Sequence, residues 1–395
     1  AMKIGGTTSG TTAGSYSATF TPLDGYKWSD GTTAAKTVKW SIAKAAGTLS
    51  LSASSLALTY SKTSGTVTVT RSGTGAVSAT SSNTAAATVS VSGETITVTA
   101  KANGSATITV NVAADGNYNA PASKTFAVSV TLVSKTLNDN SWATIKSVSD
   151  AGQGANYWAV GDTKRITLNG KVGATTISNL KVDAFIIGFN HNSGKEGSNR
   201  IHFLLGKIGG KFVGLVDSYY DPSGYATTSG AFTMNTSDTN SGGWAKTQMR
   251  STVLGAASDP TNPTANTLLA ALPADLRAVM KSVTKYTDNT GGGSNSASAV
   301  TATTDYLWLL AEFEVFGSRT YANSSEPSSQ AQYEYFKAGN SKIAYKHSAA
   351  ETAAAWRLRS PNYNNNSTFC AVDSGGGANN YNANRSLALV PGFAA

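Results

Sequence analysis

The chain has 395 residues, room for two to three domains, and only 13% of them are charged against a usual share of ~25%. With abundant Gly, Ser, Thr and Ala and 40% hydrophobic residues, this is the composition of strand-rich extracellular or virion proteins that still build cores. The net charge of +9 is dispersed, with nine basic and four acidic residues in 1–133 and 22 and 18 thereafter. It forms no Lys/Arg cluster, which argues against a nucleic-acid partner. No apolar run approaches the ~20 residues of a membrane-spanning helix, so membrane insertion by a helix is not expected.

Residues 1–45 carry two alternating runs, Tyr16, Ala18, Phe20 and Val38, Trp40, Ile42, separated by two Asp-Gly turn signals. The opening AMKIGG reads as a processed start. Two or three strands bury too little to stand alone, so the segment reads as a truncated domain with further strands upstream.

Residues 46–133 alternate more clearly, in TVTVT, ATVSV, ETITVTA, SATITVNV and FAVSVTL. Turn signals at Gly73, Gly93, Gly104 and Gly116 give the spacing of an all-β sandwich.

The texture changes near residue 134. Trp142, Ile145 and Val148 recur at helical spacing behind Ser141, a suitable N-cap. Strands are expected at 164–168, 180–189 and 200–208, and a long polar loop follows with Asp217, Asp221, Asp238, Tyr219, Tyr220 and Tyr225. Trp244–Leu254 reads as a short helix. In LPADLRAVMKSVTKY, Leu272, Leu276, Val279, Met280 and Val283 form one helical stripe with Pro273 in the first turn. The segment 288–299 reads as a flexible loop, 305–317 as buried strands and 330–339 as a helix. Helices and strands mixed without βαβ regularity indicate an α+β domain over 134–395.

The tail is the most informative stretch. From Asn362 to Asn384, eight of 23 residues are Asn, framed by WRLRSP, TFCAV and SLALVPGF, which read as short strands. Asn is a poor strand former because its amide competes with the backbone for hydrogen bonds. Asn, Ser and Tyr between rigid apolar segments is how binding paratopes are composed. The expected function is therefore ligand binding.

Three resemblances carry this further. Residues 1–45 resemble the C-terminal half of a bacterial immunoglobulin-like repeat. Residues 46–133, most specifically Gly104 to Val110 (GSATITV), resemble the bacterial immunoglobulin-like domains of adhesins and phage tail proteins, which implies a strut. SWATI, GGWAKTQMRS, LPADLRAVMKSVTKYT, DYLWLLAEFEVFG and WRLRSP…FCAVDSGG…LALVPGF resemble C-type-lectin-fold domains, and the tail is similar to variable proteins of diversity-generating retroelements. In that family the last tens of residues are rewritten at adenines copied from a template repeat. Asn codons begin with two adenines, so an Asn-crowded tail between fixed strands is the trace of such a system. The resemblance implies a multidomain chain: immunoglobulin-like sandwiches followed by an α+β C-type-lectin-like domain.

It also implies display positions at Asn362, Tyr363, Asn364, Asn365, Asn366, Ser367, Thr368, Ala371, Asp373, Asn379, Asn380, Tyr381, Asn382, Asn384 and Arg385. Trp356, Leu358, Phe369, Val372, Leu389, Val390 and Phe393 form the implied frame. The implied protein is a phage tail receptor-binding protein, or alternatively a bacterial cell-surface adhesin. It would sit on a virion or cell surface and take a host or bacterial surface ligand, protein or glycan. A lectin-fold enzyme is the third reading. No catalytic motif supports it, and the related formylglycine-generating oxidases need paired cysteines where this chain has only Cys370, read as a small core residue. No cofactor or metal is expected. Asp373 is the only acid after Glu351, too few for a calcium site in the tail, and His191, His202 and His347 read as scattered surface or satisfied residues.

Overall fold

In the computed structural model, described over residues 1–173, 175–215 and 232–395, the chain divides into two compact units, Ala1–Val133 and Ser134–Ala395. Asp217, Asp221, Tyr219, Tyr220 and Tyr225 lie outside the described residues.

In the first unit, Met2–Gly6, Gly14–Pro22 and Lys36–Ile42 form an antiparallel three-stranded meander. The register pairs Tyr16 with Trp40, and their rings stack at 4.5 Å. The opening segment, read from sequence as a processed start, supplies the edge strand. Beyond it, two four-stranded sheets face each other. One runs Ser55–Thr59, Lys124–Thr131, Gly104–Val112, Val77–Ser81 and the other Leu49–Leu51, Ser64–Arg71, Thr95–Ala100, Ala87–Ser92. Alternation sets the core: Val67, Val69, Ile96 and Val98 from one sheet meet Ile108, Val110, Phe126 and Val128 from the other. Each such side chain contributes about 1.5–3 kcal/mol by leaving water, while the intervening Thr and Ser stay outside.

The second unit is built on a mixed sheet. Thr163–Val172 and Thr175–Phe189 form a long hairpin, Ile201–Ile208 pairs with the latter, and Lys211–Gly214, Ala344–Lys346 and Ala349–Ala354 extend the sheet. Gly209 and Gly210, both at positive φ, make the two-residue turn that joins Ile208 to Lys211. The strand Pro391–Ala394 pairs with both Ile201–Ile208 and Trp308–Leu309. Phe393 there stacks on Phe203 at 5.1 Å. The helix Trp142–Asp150 lies where its stripe predicted, with Ser141 Oγ accepting from Thr144 N.

Several helical and strand expectations are overturned. The stripe through 272–283 gives only one helical turn, Ala274–Arg277, and Val283–Asp288 is a strand paired with Val300–Asp305. Val283, Lys285 and Thr287 alternate inward, and β-branched residues gain more from that pairing than from another helical turn. Glu312–Phe316, expected as strand, is a helix in which Glu314 Oε2 accepts from Ala311 N and Gly317 closes the end at positive φ. Trp244–Leu254 splits into a 3₁₀ turn and a π-helical turn, and the helix in 330–339 shrinks to Glu334–Lys337.

Candidate ligand-binding surface

The tail folds as a three-stranded antiparallel sheet, Trp356–Pro361, Thr368–Val372 and Ala378–Asn382. The second asparagine cluster is thus itself a strand, contrary to its propensity. It is held by register with Thr368–Val372, where Phe369 faces Tyr381 and Cys370 faces Asn380. The turn between them is set by Asp373, whose Oδ1 accepts from Gly375 N (2.8 Å) and Gly377 N (2.9 Å).

The frame residues Trp356, Leu358, Phe369, Val372, Leu389, Val390 and Phe393 are all fully buried, as is Cys370, whose thiol burial pushes far up from its ordinary pKa. Asn364, Asn365 and Asn366 are exposed; Tyr363, Ser367, Asp373, Asn379, Asn380, Tyr381, Asn382, Asn384 and Arg385 are half-buried. Three implied display positions are not on the surface. Asn362, Thr368 and Ala371 are buried, and Ala371 packs with Ala355 and Leu387 under Tyr381. Both faces of the central strand are covered, so its side chains have no outward face to offer.

The two asparagine segments lie side by side. Ala383 N donates to Ser367 O at 2.8 Å, and Thr368 pairs with Asn382. Residues outside the tail fix both. Asn240, fully buried, donates from Nδ2 to Asn365 O (2.7 Å) and Thr368 O (2.9 Å), and from its backbone N to Asn366 O (2.8 Å). Its Oδ1 accepts from Gly292 N at 2.7 Å, so the expected flexible glycine loop is tied to the tail. Gly291, at φ +60°, is required there: a Cβ would come within 1.9 Å of Asn240 O. The buried guanidinium of Arg357 donates to the carbonyls of Tyr381 (3.0 Å), Asn382 (2.5 Å) and Arg385 (2.7 Å). Asp238 Oδ2 accepts from Asn382 Nδ2 at 2.5 Å, which ties one of the loop acids to the second asparagine segment. Two cation–ring stacks flank the surface, Arg319 on Tyr363 at 5.0 Å and Arg385 on Tyr381 at 4.9 Å. Asn240, Arg357 and Arg319 were not legible as site residues, because each acts through a contact more than 20 residues away in sequence.

A second cluster, also missed, lies under the frame. His191 and His202, expected to be scattered, are buried with their rings 5.7 Å apart. They surround a network in which Lys285 Nζ donates to Glu196 Oε2 (2.7 Å), Glu314 Oε1 (3.0 Å) and Tyr333 Oη (2.7 Å). Arg359, on the frame strand, grips Glu314 with two N–H groups at 2.5 and 2.8 Å. Burial works to raise the Glu314 carboxyl, but the charges of Arg359 and Lys285 outweigh it and hold it well below the usual range. Glu196, with fewer donors, is raised by burial to about 7, and His191 is lowered by burial to about 3. His191, Glu196 and Glu314 offer ligand atoms within 4.8 Å of one another. The ammonium of Lys285 and the guanidinium of Arg359 already occupy the space and balance the two carboxylates, so a divalent cation does not fit that donor set.

Residues 233–394 match a family described as a domain of unknown function (DUF6273), a match over less than half of the chain. No curated protein matches the chain. Among solved structures it is similar to domains 4 and 5 of the S-layer protein SbsC, at 24% identity over 30% of this chain and 58% of that one, with a TM-score of 0.19. It is also similar to domains 4–9 of the same protein, at 16% identity over 54% of this chain and 28% of that one, again with a TM-score of 0.19. The chain spans less than two thirds of either structure, and similarity at this level bears on neither fold nor role.

Proposed function

We propose that this chain is a ligand-binding protein whose residues 134–395 form a C-type-lectin-like domain of the diversity-generating-retroelement kind, carried on immunoglobulin-like modules. The observation that supports it best is the union of the two asparagine segments. They are separate in sequence, yet adjacent in space on a frame buried to the last side chain. A frame that does not depend on the side chains of Asn364–Asn366, Asn379, Asn380, Asn382 and Asn384 for its core tolerates their replacement, which is what a diversified surface requires.

Recognition is non-covalent. Tyr363, Tyr381 and Arg385 supply anchoring area, and the Asn and Ser amides and hydroxyls supply adaptable hydrogen bonds. No catalytic step and no cofactor are part of this reading. The partner is a protein or glycan of a bacterial or host surface, and the setting is a phage tail, with a bacterial cell-surface adhesin as the alternative. The DNA beside the gene tests it. A near-repeat of the codons for residues 356–393, differing mainly at adenines and accompanied by a reverse transcriptase, is expected. Absence of both overturns the retroelement assignment.

A further inference from the structure

We propose that Lys285 and Glu196 condense into an intramolecular amide, a covalent staple between the strand Val283–Asp288 and the helical turn Ser193–Glu196. The proposal is independent of the binding reading.

The geometry is that of two reactants held in contact away from water. Lys285 Nζ lies 2.7 Å from Glu196 Oε2 and 3.0 Å from Glu314 Oε1. The Lys285 and Glu314 side chains have no exposure and that of Glu196 has 2%. The rings of Trp308 and Tyr333 close over the amine at 5.0 and 4.9 Å. Held proximity removes the entropic part of the barrier to a bimolecular step, and exclusion of water protects the product from hydrolysis.

The two carboxyls are unequal, and the inequality assigns their roles. Glu314 is fixed as a carboxylate by two N–H groups of Arg359 and by Ala311 N. Glu196 has one short partner, Lys285; its other approaches are long, Asn192 Nδ2 at 3.5 Å, His191 Nε2 at 3.7 Å and His202 Nδ1 at 3.9 Å. Glu196 is therefore the carboxyl free to take up a proton, in line with the upward shift that burial gives it.

The step balances without an oxidant or a co-reactant. Lys285 passes a proton to the Glu196 carboxylate, leaving a neutral amine beside a neutral acid. The amine lone pair attacks Cδ of Glu196 and the Cδ–N bond forms. Glu314 Oε1 accepts an N–H proton and returns it to the departing hydroxyl. The Cδ–O bond breaks, one water leaves, and Glu314 is restored as a carboxylate. Two buried charges disappear, while Arg359 and Glu314 remain as a closed pair, which relieves the desolvation of the interior.

Intact mass of the full chain, measured under denaturing conditions after native purification, tests the staple. One water less than the sequence mass is expected, and proteolysis should release a branched peptide joining Lys285 to Glu196. Lys285→Arg and Glu196→Ala should each return the full mass. Because those variants can lose the fold, the parent protein decides the matter by itself. A folded parent at full mass overturns the proposal. So does a water loss whose branched peptide involves Glu314, or that yields no branched peptide.

Discussion

Asn240 holds Asn365: the buried amide donates from Nδ2 to the Asn365 carbonyl at 2.7 Å across 125 positions of sequence. The same Nδ2 also donates to Thr368 O and the Oδ1 accepts from Gly292 N, so one side chain fixes the tail loop and the glycine loop together. Asn240→Ala removes the side-chain partners of Asn365 O, Thr368 O and Gly292 N. Thr368 O keeps Asn362 N, and water reaches the exposed Asn365 and Gly292, so the net loss is that of one or two hydrogen bonds at about 0.5–1.5 kcal/mol each. A loss of about 1–2 kcal/mol in urea unfolding of the second unit is expected. A change below about 0.5 kcal/mol would show that the clamp carries nothing.

Ion pairs on and under the sheet should separate cleanly. Arg359→Met removes two N–H groups from a fully buried Glu314, and breaking such a pair costs about 3–5 kcal/mol. Arg165, half exposed in its pair with Asp183, should cost less than about 1 kcal/mol when changed to Met. Parallel denaturant titrations of the two variants check the ordering.

The display positions should tolerate what the frame does not. Asn364→Tyr, Asn365→Ser and Asn366→Tyr alter exposed side chains, although Asn365→Ser also disturbs the turn in which its Oδ1 accepts from Ser367 N. Each is expected to shift stability by about 0.5 kcal/mol or less, with Asn365→Ser at the upper end. Ala371→Asn forces an amide into the contact with Ala355 and Leu387 and should cost about 2–4 kcal/mol. Thermal melting of the four variants measures both classes.

Glu326 gives a pH signature. It is fully buried, and burial raises its carboxyl from the ordinary 4.5 to about 7, against bonds from Asp288 N, Ser360 Oγ and Gln330 Nε2. Between those values the native chain keeps a proton that the unfolded chain has released, so the unfolded state binds fewer protons and stability falls as pH rises through this window. The native contribution is fully present below pH ~4.5 and lost above pH ~7. His191 and His202, lowered by burial, slope the opposite way, so the comparison is between Glu326→Gln and its parent. The variant should gain on the parent as pH rises from 5 to 7. A difference independent of pH would refute the assignment.

The sequence by itself determined where alternation or a cap was strong. The strands at 66–70, 87–91, 94–100, 105–112 and 126–132, those at 164–168 and 180–189, the helix behind Ser141 and the burial of Trp356, Phe369 and Phe393 follow from local patterns of polarity. It also marked the asparagine segments, because composition survives without coordinates. Tertiary structure decided the rest. It turned 283–288 from helix to strand, made 378–382 a strand despite its asparagines, and took Asn362, Thr368 and Ala371 out of the displayed set. It also brought Asn240, Arg357 and the Lys285 network to their partners. The physical reason is the same in each case. Pairing and burial supplied by distant chain outweigh weak local propensity, and a hydrogen bond spanning 125 positions leaves no local periodicity in the sequence.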